Sequence, residues 1–139
     1  MGKTLELNES HEKEIISCAK KGHLEAMKLL LDADRSLVNA RDSDGSTPLH
    51  CASWKGHDEL VTLLLDCGAD INSRNENDHW GDTPLHAAAH GNRRAVAAIL
   101  IERGADLVAL NPKGKTPLEE TEAHKATAVA KLLRAELAL

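Results

Sequence analysis

Apolar residues in this chain recur at helical spacing, in short bursts. Leu49 and Ala52 fall on one side of a helix, as do Leu85, Ala88 and Ala89 further on, and both stripes are narrow. Gly56 breaks the first burst, after which Leu60, Val61, Leu64 and Leu65 form a second helical stripe. Gly68 and Gly104 then stand where left-handed helix ends are expected. The unit predicted is helix, turn, helix, followed by an extended loop through Asp42-Ser43-Asp44-Gly45.

The start of the first helix carries its own signal. Thr47 and Thr83 can cap a helix through the side-chain oxygen, and Pro48 and Pro84 follow at the first turn, where no amide donor is missed. The whole motif repeats. Thr47-Pro48-Leu49-His50 returns as Thr83-Pro84-Leu85-His86 and, weakened, as Thr116-Pro117-Leu118-Glu119. Gly68-Ala69-Asp70 returns as Gly104-Ala105-Asp106, and Val38-Asn39 is echoed by Ile71-Asn72. A period near 33 residues carrying Thr-Pro-Leu-His is a signature of ankyrin repeats, and the chain resembles that family over nearly its whole length. The fold implied is an all-α ankyrin-repeat solenoid, a stack of helix-turn-helix units with β-hairpin-like loops. One helix pair cannot bury both its faces, but stacked pairs can.

Four units are expected in a single domain over 1–139, at roughly 8–40, 41–73, 74–109 and 110–139. The first lacks Thr-Pro-Leu-His and opens on a charged turn, Ser10-His11-Glu12-Lys13-Glu14. In the last, Glu119, Thr121 and Glu122 replace His86, Ala88 and Ala89. Carboxylates on a face meant for a further repeat would be buried without partners, at a cost of several kcal/mol. The two outer units therefore read as end caps, with the array stopping at the fourth. Unit three is lengthened before its Thr, in Arg74-Asn75-Glu76-Asn77-Asp78-His79-Trp80-Gly81-Asp82, and unit one after its second helix, in Asp32-Ala33-Asp34-Arg35-Ser36-Leu37. Both changes fall in loops, where length is tolerated.

Composition narrows the function classes. The 139 residues hold two Trp and no Phe or Tyr, so the core must be made of Leu, Ala, Val and Ile. A net charge of −5 makes the chain a poor binder of phosphate backbones, and no nucleic-acid partner is expected. Ala95 to Ile101 is among the longest apolar runs, too short for a membrane span, and no membrane partner is expected either. The start of the chain lacks the apolar stretch of a signal peptide, and Glu6 stands where a myristoylation signal wants Ser or Thr. Three cysteines without a Cys-x-x-Cys pair argue against a disulfide framework or zinc knuckle. A reduced compartment, cytoplasmic or nuclear, and a monomer are the expectations.

Eight histidines invite a metal or catalytic reading. The family resemblance gives four of them architectural places: His50 and His86 tie a helix start to neighbouring loop backbone, and His23 and His57 occupy the residue after the inter-helix Gly. His11 falls in the first cap, leaving His79, His90 and His124 without a structural reason. His86 and His90, four apart on one helix, could chelate a metal, but nothing at ligand spacing completes the site. Cys18 and Cys51 lie on apolar helix stretches and read as small buried hydrophobes. No catalytic order of Ser, Cys, His and Asp is readable and no Gly-rich phosphate loop occurs, so neither catalysis nor a cofactor is expected.

The resemblance implies a concave face built from loop tips and first-helix ends, which grips partner proteins. Carried over by position, it takes Lys20 and Lys21 from unit one and Ser43, Asp44, Ser46, Trp54 and Lys55 from unit two. Unit three adds His79, Trp80, Asp82 and His90, and unit four Pro112, Lys113, Lys115 and His124. Both tryptophans thus land on adjoining units of that face, and Trp is enriched among residues that dominate interface energy. The lysines would steer a partner with an acidic stretch, acting on association rate more than on affinity. Asn39 and Asn72 resemble the hydroxylation targets of an asparaginyl oxygenase of animal cells, whereas the matching position of unit three is Val108.

The function these features predict is a non-enzymatic protein-protein interaction module that acts sterically, as adaptor or inhibitor. Two alternatives stand beside it. One is a metal- or ligand-dependent sensor or enzyme using His79, His86, His90 and His124. The other is an artificial scaffold, against which the irregular insertions and the three cysteines weigh.

Overall fold

The computed structural model describes residues 2–76, 82–123 and 125–138, with side chains from His11 onward. Within them lie eight α-helices: α1 (Gly2–Lys21), α2 (Leu24–Ala33), α3 (Pro48–Lys55), α4 (Asp58–Asp66), α5 (Pro84–His90), α6 (Arg94–Glu102), α7 (Pro117–Ala123) and α8 (Thr127–Leu137). The odd-numbered helices pack in one row, α1 on α3, α3 on α5 and α5 on α7, and the even-numbered ones form a second row behind it. Leu49, Ala52, Leu85, Ala88 and Ala89 are fully buried in the first row, and Leu60, Val61, Leu64, Val96, Leu100, Val129 and Leu133 in the second. With no Phe or Tyr available, the alanines of α5 set the close approach of its neighbours.

Each capping threonine does what its position predicts. Thr47 Oγ1 accepts from His50 N at 3.3 Å, while His50 Nδ1 accepts from Thr47 N at 3.1 Å, which closes a capping box with imidazole in the usual place of a carboxylate. Thr83 and His86 repeat it. At α7 the box is closed by Glu119, whose Oε1 accepts from Thr116 N at 3.0 Å.

Because Nδ1 accepts, Nε2 carries the imidazole proton and is free to donate onward. His50 Nε2 donates to the Asp82 carbonyl at 2.8 Å and His86 Nε2 to the Lys115 carbonyl at 2.9 Å, so each helix start is tied to the loop of the following pair. Two further ladders run the same way. Arg41 Nη1 donates to Arg74 O at 2.8 Å and Arg74 Nη1 to Leu110 O at 2.9 Å, while Asn72 Oδ1 accepts from Asp106 N at 3.0 Å.

Three features were not anticipated, and they stand beside others that match expectation. The first helix reaches back to Gly2, well before residue 8, because residues 3–10 contain neither Pro nor Gly to stop it. A short 3-10 helix, Arg35–Asn39, takes up the extra residue of unit one, capped by Asp34 through Ser36 N. The loops are hairpin-like, as expected: Asp42 N donates to Ser46 O, Asn75 N to Asp82 O and Asn111 N to Lys115 O, and the described residues contain no strand. Finally, Glu119 and Glu122, expected to face outward, are exposed, and the burial not anticipated is that of Glu120, held by Asn111 Nδ2 at 2.6 Å.

Candidate partner-binding surface

The predicted surface residues divide by burial. Lys20, Lys21, Ser43, Asp44, Lys55, Pro112 and Lys113 are exposed, and Trp54, His90 and Lys115 half-buried. His79, Trp80 and His124 lie outside the described residues. Ser46 and Asp82 must be removed from the surface. Ser46 is wholly buried and its Oγ accepts from Asn75 Nδ2 at 2.9 Å, while the buried Asp82 carboxylate holds the Arg74 guanidinium. Both stand immediately before a capping threonine, and Asp82 also lends its carbonyl to His50. That position is structural, which the motif spacing alone does not reveal.

Of the described remainder, Lys20, Lys21, Trp54, Lys55 and His90 lie at the C-terminal ends of first-row helices, and Ser43, Asp44, Pro112, Lys113 and Lys115 in the loops before α3 and α7. Lys20 and Lys21 occupy the last turn of α1 and Lys55 the last turn of α3, where cations complement the helix dipole. The Lys55 ammonium sits 4.7 Å from the centroid of the Trp54 ring, a cation-π contact that orders both side chains. His57 Nε2 donates to Lys20 O at 3.0 Å and Arg93 Nε to Trp54 O at 3.0 Å, so these ends are fastened to one another across three pairs. Gly22 makes the first fastening possible: it adopts φ +79°, and a Cβ there would lie 2.8 Å from the His57 ring.

A cleft of about 550 Å³ adjoins this region, between α1 and the first loop, lined by Glu12, Lys13, Ile16, Arg41, Asp42 and Ser43. Its α1 wall was not singled out from sequence. The signal was present in the charged turn around Glu12 and Lys13, but a turn read as a cap does not announce a wall.

His50, His86, Cys18 and Cys51 lie in buried environments. Burial lowers the pKa of both His50 and His86, which keeps the imidazoles neutral. Both ring nitrogens of His86 are occupied, Nδ1 by Thr83 and Nε2 by the Lys115 carbonyl, so the buried His86 is not the exposed ligand that the chelating pair with His90 requires. Burial pushes the Cys51 thiol up to about 12 and raises Cys18 as well, leaving both poor nucleophiles. Among the described residues no group of three or more His, Cys, Asp or Glu converges as a metal site. No helix there is long and apolar enough to cross a membrane.

Two family models match, one described as ankyrin repeats (3 copies) over residues 6–75 and one as ankyrin repeats (many copies) over residues 55–101. The chain belongs to the ankyrin-repeat family, whose repeats serve as protein-protein interaction modules and are in general not catalytic. Among curated relatives, it is 41% identical over 75 residues to the E3 ubiquitin-protein ligase XBAT33 of Arabidopsis thaliana, covering 53% of this chain and 14% of the ligase. It is 49% identical over 49 residues to the serine/threonine-protein kinase VIK of the same plant, covering 35% of this chain and 11% of the kinase. To the human ankyrin repeat domain-containing protein 29 it is 46% identical over 54 residues, 39% of this chain and 18% of that protein. The chain thus spans less than a fifth of the length of these relatives.

Proposed function

We propose that the chain is a rigid docking module that grips one partner protein through the loop tips and the C-terminal ends of its first-row helices. It acts by occupying surface, as adaptor or steric inhibitor, within the cytoplasm or nucleus. The observation that carries this reading is the cluster of Trp54, Lys55, Lys20 and Lys21. An indole rests half-exposed beneath an ammonium group, next to two more lysines from the adjoining pair. An indole ordered by its neighbours loses little entropy on contact, which suits it to anchor an interface. Ser43, Asp44, His90, Pro112, Lys113 and Lys115 extend the same face, and His79, Trp80 and His124 belong to the reading by position. The area between these residues is set by the ladders and not by the partner, so docking requires little reordering.

The test is titration of the chain and its Trp54→Ala variant against a partner captured from source-cell lysate. Removing the indole should weaken binding by about 2 kcal/mol or more, roughly thirtyfold, while the melting temperature stays near that of the parent chain. Equal affinities for the two would remove the anchor and the reading with it.

A further inference from the structure

The second row of helices carries an independent feature. A groove of about 380 Å³ lies between α6 and α8, lined by Arg94, Thr127, Ala128, Lys131, Leu132 and Ala135. Its two charged groups are both cations, in a chain whose net charge is −5. Arg94 and Lys131 are exposed, and neither enters an ion pair with another described residue. The corresponding groove between the first two pairs has the opposite character, for Asp58 and Glu59 line it.

Aligning the second-row helices on their repeat shows how the difference arises. Arg94 stands where α4 has Asp58, and Thr127 occupies that place in α8. Ala95 and Ala128 replace Glu59. At the far end, Asp32, Asp66 and Glu102 give way to Ala135. Acids are thus absent from both walls at two repeat positions and from the α8 wall at a third, a cation stands on each wall, and Ala128, Leu132 and Ala135 give the groove an apolar floor. Nothing in the packing calls for that pattern, since the core residues of α6 and α8, such as Val96, Leu100, Val129 and Leu133, match those of α4 in kind.

We propose that this groove is a second docking site, which takes an acidic segment of a partner protein, with one apolar side chain seated on the floor between carboxylates held by Arg94 and Lys131. A nucleic acid fits less well. Its phosphates continue at short intervals, and beyond Arg94 the same row presents Asp58 and Glu59. The site lies on the second row and does not depend on the Trp54 reading, so either can fail alone.

The probe is a blocked, fluorescently labelled peptide with a single leucine between two runs of three glutamates, followed by anisotropy as the chain is added. Expected is saturable binding that weakens as salt rises, and that falls about tenfold or more in the R94E/K131E double variant. The milder R94A/K131A pair should lie between, and replacing the peptide leucine with serine should also weaken binding. Trp54→Ala and Lys55→Ala should leave the affinity unchanged. The proposal is overturned by absence of saturable binding, or by equal affinity in the double variant with its helical content intact. It is likewise overturned if a thymidine oligonucleotide or phosphatidylserine vesicles bind more tightly than the peptide through the same two cations.

Discussion

The side chains that join one helix pair to the next are mostly polar, and two of them are imidazoles whose pKa burial lowers. His50 and His86 each cap a helix with one nitrogen and tie the following loop with the other. Protonating Nδ1 removes the acceptor that the Thr47 and Thr83 amides need. Burial lowers both pKa values below the ordinary 6.5, so the unfolded chain takes up protons more readily than the folded one. The stability these groups contribute is therefore complete above the unfolded value and lost as pH falls through the folded ones. Denaturant unfolding followed from pH 8 down to pH 5 should show a falling midpoint, and a His50→Gln, His86→Gln variant should show a shallower fall. A parent chain equally stable at both ends would exclude the imidazoles as ties. This role was legible through the family resemblance that the repeated Thr-Pro-Leu-His motif carries, which implies that its histidine ties the helix start to a neighbouring loop. Asp82 was misplaced because its burial follows from its pairing with Arg74 across the loop and from the His50 contact to the preceding pair, which motif spacing alone does not display.

At the scale of the element, helices whose boundaries are chemical were readable and those whose boundaries are permissive were not. Thr-Pro starts α3, α5 and α7, and glycine at positive φ ends α1 and α3. The backward extension of α1 and the 3-10 helix at Arg35–Asn39 follow from the lack of a breaker and from one spare residue, and neither leaves a motif. The glycines allow a sharper test. Gly22 and Gly68 both have positive φ, but only Gly22 has a neighbour, the His57 ring, where a Cβ would go. Gly22→Ala should lose about 1 kcal/mol for the backbone and about another 1 for the displaced bond from His57 to Lys20 O, against about 1 for Gly68→Ala. Chemical unfolding of the two variants checks this, and equal losses would show that the His57 contact contributes nothing.

Across the whole molecule the ladders make one body of separate pairs. His50 and His86 reach forward from the second and third pairs, Arg41 and Arg74 do the same, and the matching positions Glu119 and Leu110 do not. The repeat itself was plain from the sequence, since its spacing is long-range and regular. The surface was only partly so. Exposure of Lys20, Lys21 and Lys55 follows from their places in the repeat, whereas the cleft beside α1 and the groove between α6 and α8 are made by pairs of elements that no single stretch of sequence brings together. On the proposed reading, a partner would meet a preformed side, with loop tips and first-row helix ends held in register.

Hydrogen-deuterium exchange of the chain, alone and with its captured partner, addresses that side directly. Binding should slow exchange at the first loop, residues 41–46, and at the turns around residues 20–23 and 54–57, with the amides of α2 and α4 unchanged. Slowing confined to α2 and α4, with the loop and turns unaffected, would contradict the docking geometry derived from Trp54 and its lysines.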